Sequence, residues 1–169
     1  MSCSLVGSEM CIRDSRDTWG TNLYQQINWW APVSNVEEKN TMIFYPDYFD
    51  VPVKNTTSTW DLNIYLANRK KGDFSYPSAP QLKEDLPSNI NKIPVTIKPG
   101  EILCFSGAHL HSSSKEKSEN TRISFEIRTI CENDLNSSAQ APNVDCDLQW
   151  KFPKIFKKIN DNSSLKITS

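Results

Sequence analysis

The residues able to do chemistry crowd into one stretch. The chain holds two histidines, His109 and His111, at the end of a strand-like run from Glu101 to Gly107, and Arg122 and Ser124 follow on the next strand-like run. Side chains two apart on a strand face the same side, so at least one imidazole can enter a pocket while Leu110 turns away. Arg122 and Ser124 likewise share a face, and adjacent antiparallel strands would bring these groups together. Imidazole is a ligand for transition metals. A planar guanidinium can grip both oxygens of a carboxylate, and a hydroxyl can satisfy a further lone pair.

The elements that must position these groups read as short strands around one helix. Asn22 to Val33 is rich in aromatic and branched residues and is closed by a proline; Asn40 to Tyr45 gives a second strand, stopped by Pro46. Thr57 to Lys71 has Leu62, Tyr65 and Leu66 at helical spacing, with Ser58 as the expected cap, Asp61 three residues on and Gly72 as the stop. Asp73 to Pro94 is a proline-rich surface excursion. Strands then follow at Val95 to Ile97, Glu101 to Gly107 and Thr121 to Ile130, with Pro99-Gly100 turning the first into the second. From Glu132 the tail is polar, with a basic amphipathic piece at Lys151 to Ile159 that reads as a solvated helix face. The expected fold is mainly β, a jelly-roll or double-stranded β-helix of cupin-like type with one or two helices.

Length and charge narrow the partners. A chain of 169 residues suits one domain, and a formal net charge of −1 with acids and bases intermixed carries no footprint for nucleic acid or an anionic membrane. A small-molecule substrate is the expected partner. No apolar run is long enough to span a bilayer and no secretory signal opens the chain, so the expected location is the cytoplasm, with the five cysteines reduced.

The first fifteen residues read as foreign. Leu5 to Asp14, LVGSEMCIRD, resembles the one-frame translation of a transposase-type sequencing adapter. Residues 1–15 are therefore set apart from 16–169, which reads as the C-terminal part of a longer, N-terminally truncated protein.

The run PGEILCFSGAHLHSSSKEKSENTRISFEIR, Pro99 to Arg128, resembles the distal half of the phytanoyl-CoA dioxygenase-like Fe(II)- and 2-oxoglutarate-dependent oxygenases. The resemblance implies a dioxygenase that hydroxylates a small molecule, with iron, 2-oxoglutarate as cosubstrate and O2. It implies His111 as an iron ligand, Arg122 as partner of the distal 2-oxoglutarate carboxylate, and Ser124 as an added hydrogen bond. The family also needs a proximal His-X-Asp, because two histidines and one carboxylate hold its iron. Ser15-Arg16-Asp17 lies where that motif belongs, so Asp17 takes the carboxylate role and Ser15 stands where the histidine should be. The strand that follows would line the pocket with Gln26, Asn28 and Trp30, or with Gln25, Ile27 and Trp29 from its other face. Arg128 reads as a surface or cross-strand residue.

Two other readings stay open. His109-X-His111 followed by Glu116 resembles the first metal motif of cupins, although Leu103 and Ile123 stand where that pattern wants glycines and no histidine follows His111. A non-catalytic jelly-roll binding module would keep the pocket without the iron.

Overall fold

The computed structural model describes residues 4–5, 14–114 and 120–165. In chain order the elements are strand β1 (Ser4–Leu5), helix α1 (Thr18–Thr21), strands β2 (Ile27–Pro32) and β3 (Met42–Phe44), helix α2 (Leu62–Lys70), and strands β4 (Ile93–Pro94), β5 (Leu103–Ser106), β6 (His111–Ser113) and β7 (Ser124–Thr129). They form two small antiparallel sheets, ordered β1-β7-β2-β5 and β4-β3-β6. The fold is β-rich, as the succession of short branched and aromatic runs predicts.

Register decides which side chains meet. Asn28 lies opposite Arg128 on one side and Phe105 on the other, and Trp30 lies opposite Glu126 and Leu103. Directly opposed residues share a face, so one face of this sheet carries all six side chains. Trp30 and Phe105 pack with Met42 and Val95 in one buried cluster, joined by Phe44 and Leu103. The second sheet thus covers this face, each large apolar side chain contributing roughly 1.5–3 kcal/mol. A second core, built on Trp19, Tyr24, Tyr45, Leu110, Cys146 and Leu148, lies beneath the loops.

Several sequence expectations shift. The histidines do not end β5. A turn closed by His109 N–H on the Ser106 carbonyl, 3.0 Å, carries the chain across, and His111 opens β6 in the other sheet. Strands β6 and β7 are therefore in facing sheets instead of neighbouring in one, because β7 is claimed by β2 and β1. The stretch from Asn22 becomes a strand only at Ile27: residues 18–21 are helical, and Asn22 ends that turn in the left-handed region at φ 54°. Helix α2 is capped by Asp61, which accepts from Asn63 and Ile64 at 2.6 and 3.2 Å, and not by Ser58. The strand expected at Val95 to Ile97 pairs two residues earlier, at Ile93–Pro94.

The tail is the largest departure. A short 3-10 turn at Pro153–Ile155 replaces the expected helix face, and it delivers Phe156 into a buried cluster with Leu23, Ile130 and Leu165. The end of the adapter-like segment is also packed: Asp14 is buried and accepts from the Tyr45 hydroxyl at 2.8 Å. Among the described residues no helix is long and apolar enough to cross a membrane.

Candidate active site

Asp17 and His111 lie far apart along the chain and meet in the interior of the fold. Ser15 and His111 form an antiparallel bridge, with Ser15 N–H on the His111 carbonyl at 2.9 Å and His111 N–H on the Ser15 carbonyl at 3.1 Å. Asp17 follows as the residue before α1, but its carboxylate makes no cap bond to that helix. It faces His111 instead, Oδ2 lying 3.7 Å from Nε2, with both residues buried. The carbonyl of His109 can only accept, so His111 Nδ1 donates to it, at 2.9 Å. Nε2 is thereby turned to Asp17, and a proton or cation between the two atoms would satisfy both.

Arg16 locks this segment in place. Its guanidinium donates to the carbonyls of Ala108, Tyr48 and Val51 at 2.7, 2.6 and 2.9 Å, and pairs with Asp145 at 3.1 Å. Asp145 also accepts from Trp19 Nε1 at 2.7 Å and from Val53 N–H at 3.1 Å. The tail thus fastens the segment that carries Asp17.

Asp17 has two further partners that sequence reasoning did not supply. Arg128 donates to Oδ1 at 2.9 Å, and Asn28 Nδ2 donates to Oδ2. Arg128 reaches Glu126 as well, at 2.7 Å. Burial, with Asp17 nearby, pushes the Glu126 carboxyl up, and the Arg128 guanidinium partly offsets this. Of the two expectations for Arg128, surface or cross-strand, the structure has the second: it is half-buried opposite Asn28 and reaches Asp17. Its signal lay only in the register that sets it opposite Asn28.

Gln26 and Asn28, the expected pocket lining, are both fully buried and bonded to each other at 2.8 Å, so their amides are committed to the Asp17 network. Trp30 is buried on the same face. Its ring lies 5.8 Å from the Arg122 guanidinium, which donates to Ser113 Oγ at 3.1 Å. Arg122 crosses from the end of β7 to β6 in this way and bridges the two sheets. Its second terminal nitrogen is buried with no hydrogen-bond partner among the described residues, and burial holds the group below the usual arginine range. Ser124 is half-buried at the start of β7, opposite Pro32 and on the face that carries Glu126 and Arg128. Glu126 pairs with Arg128, which leaves Arg122 without that carboxylate.

His109 stands apart, half-buried against the rings of Phe49 and Phe44 at 4.6 and 5.7 Å. Glu116 lies outside the described residues. Among the described residues, no three His, Cys, Asp or Glu side chains group so as to hold a metal ion.

No protein-family model and no curated protein matches the chain. It is similar to the solved structure of an N-substituted L-amino acid dioxygenase in complex with alpha-KG from Burkholderia ambifaria AMMD, at 11% identity and a TM-score of 0.37. The likeness covers 76% of this chain and 46% of the other, so the chain spans less than half the length of that protein.

Proposed function

We propose that this chain belongs to an Fe(II)- and 2-oxoglutarate-dependent dioxygenase of phytanoyl-CoA dioxygenase-like type, on a jelly-roll scaffold, with its iron site one histidine short at position 15. The observation that carries the reading is the convergence of Ser15, Asp17 and His111. Opposed residues of an antiparallel bridge send their side chains to the same side, so position 15 looks toward the His111 imidazole, beside the Asp17 carboxylate. A histidine there would complete a set of two imidazoles and one carboxylate.

As the chain stands, iron does not fit. His111 and Asp17 supply two donors, and the Ser15 hydroxyl is not a third of the required kind. What the residues present can do is bind a carboxylate. Arg122 offers a buried N–H with no hydrogen-bond partner among the described residues, beside the Trp30 ring, a good seat for the distal carboxylate of 2-oxoglutarate, with the Ser124 hydroxyl two residues along. The substrate is read as a small molecule, in a protein of the cytoplasm.

The test is to compare the parent with Ser15→His for Fe(II) binding, 2-oxoglutarate binding and succinate formation in the presence of ascorbate. Ser15→His is expected to bind metal and cosubstrate and to form succinate; binding of neither overturns the reading. A second reading, a metal-free binding module, is favoured by Arg128 and Asn28 already occupying Asp17. It requires iron titration to stay silent even in Ser15→His.

A further inference from the structure

His111 keeps one ring nitrogen uncommitted. Nδ1 donates to the His109 carbonyl at 2.9 Å, which leaves Nε2 of the neutral ring as an acceptor. The residue is only 4% exposed, yet Nε2 makes no hydrogen bond among the described residues. It looks onto Asp17 Oδ2 at 3.7 Å, an atom that can also only accept. Asn28 donates to Oδ2 and Arg128 to Oδ1, and a carboxylate has about four lone-pair sites, so Oδ2 keeps one to offer. Two acceptors that face each other, too far apart to bond directly, are both satisfied by one donor that reaches the pair.

The charge around this pair selects the donor. Asp17 and Glu126 share one guanidinium, that of Arg128, at 2.9 and 2.7 Å, so the three side chains together carry one net negative charge. All are largely withdrawn from solvent, the Asp17, Glu126 and Arg128 side chains being 5, 24 and 19% exposed. Burial and the Asp17 charge push the Glu126 carboxyl up, as expected where negative charge is under-compensated. Excess charge held out of water is costly without a counter-charge. Water can bridge two acceptors but brings no charge. A hard cation brings charge but favours oxygen over imidazole nitrogen. A transition metal finds no third His, Cys, Asp or Glu donor grouped here among the described residues. A protonated primary amine brings both the charge and three N–H donors. The rings of Phe44 and Phe105 pack on the His111 imidazole at 5.8 and 5.5 Å, and aromatic surroundings suit an organic cation.

We propose that His111 Nε2 and Asp17 Oδ2 together bind the ammonium group of a small primary amine, with Glu126 supplying the excess negative charge that favours a cation. The site belongs to the chain as it stands and goes beyond the dioxygenase reading, since neither iron nor a histidine at position 15 enters it.

The experiment titrates methylammonium chloride into the unaltered chain at neutral pH and constant ionic strength and follows the imidazole ring nitrogens by NMR. The chain has two histidines, so His109 serves as the reference within the same molecule. Methylammonium should produce a saturable shift at His111 Nε2 and none at the His109 ring. Tetramethylammonium, equal in charge but without an N–H, should leave His111 unmoved, and so should sodium. Glu126→Gln should weaken methylammonium binding about tenfold or more by removing one charge, with unchanged His109 shifts showing that the fold is kept. A His111 Nε2 that gives no saturable response to methylammonium overturns the site. An equal response to tetramethylammonium or sodium overturns the assignment to ammonium, and undiminished binding in Glu126→Gln overturns the role of Glu126.

Discussion

Ser15 and His111 exchange both of their backbone hydrogen bonds, at 2.9 and 3.1 Å, so whatever side chain stands at position 15 is held next to the His111 imidazole. Directly opposed Cβ atoms in such a pair lie about 5 Å apart, a spacing at which two ring nitrogens can share one ion. In Ser15→His, replacing either His111 or Asp17 by alanine should lower Co(II) affinity by more than ~100-fold, beyond the loss expected of a group behind the ligands. The same replacements in the parent should change nothing in a metal titration.

Arg122 is expected to separate stability from binding. Its second terminal nitrogen is buried with no hydrogen-bond partner among the described residues, a cost to the ligand-free fold of about 1–3 kcal/mol, partly offset by the bond to Ser113. Arg122→Met should therefore leave the ligand-free unfolding free energy within about 1 kcal/mol of the parent. On the proposed function, 2-oxoglutarate at a hundred times Kd should stabilise the parent by about 2.7 kcal/mol, and Arg122→Met should abolish that rise in thermal midpoint. Arg122→Lys should not restore it, because an ammonium cannot present the planar fork. Differential scanning fluorimetry with and without cosubstrate checks all three.

The Arg16–Asp145 pair should be among the most sensitive points of the fold. Both side chains are buried, and Arg16 is also committed to backbone carbonyls from residues 48–51 and 108. Asp145→Ala leaves a buried guanidinium without its counter-charge, at a cost of about 3–5 kcal/mol, measurable by urea unfolding. The change is expected to loosen the Asp17 segment as well, weakening metal binding in Ser15→His.

Tyr45 makes stability depend on alkaline pH. Burial pushes its phenol up from 10.0 to about 12, with Asp14 adding to the rise and Ser112 opposing it. A raised acid favours the folded state while it stays protonated. Its contribution is fully present below pH 10, where the unfolded phenol is still protonated, and is lost as pH rises to about 12. Tyr45→Phe should remove this part of the alkaline loss, flattening the stability profile between those limits in pH-dependent unfolding.

The helix cap gives a control remote from the site. Asp61→Ala removes the side chain that accepts from Asn63 and Ile64 and should cost about 1 kcal/mol, whereas Ser58→Ala should cost close to nothing. Neither should alter binding of 2-oxoglutarate. Thermal denaturation of both variants checks the assignment of the cap.

The local choices were legible because their causes are local. Runs of aromatic and branched residues bounded by prolines and turns marked β2, β3, β5 and β7, and Leu62, Tyr65 and Leu66 at helical spacing marked α2. Caps and ends were less legible. Ser58 and Asp61 are both competent caps, and the tertiary course of residues 56–60 chose Asp61. The tail misled because Phe156 and Leu165 find their partners in Leu23 and Ile130, far away along the chain.

At the site, residue types and spacing singled out His111 and Arg122, and the family resemblance pointed to Asp17 and to position 15 as the place of an expected histidine. Tertiary structure alone decided what surrounds them. His111 crosses into a second sheet, Arg122 spans the two sheets to Ser113, and Arg128 and Asn28 close on Asp17. These partners depend on strand register and on which sheets face each other. Both are set by the burial of Trp30, Met42 and Phe105 in a shared core, and no spacing along the chain records them.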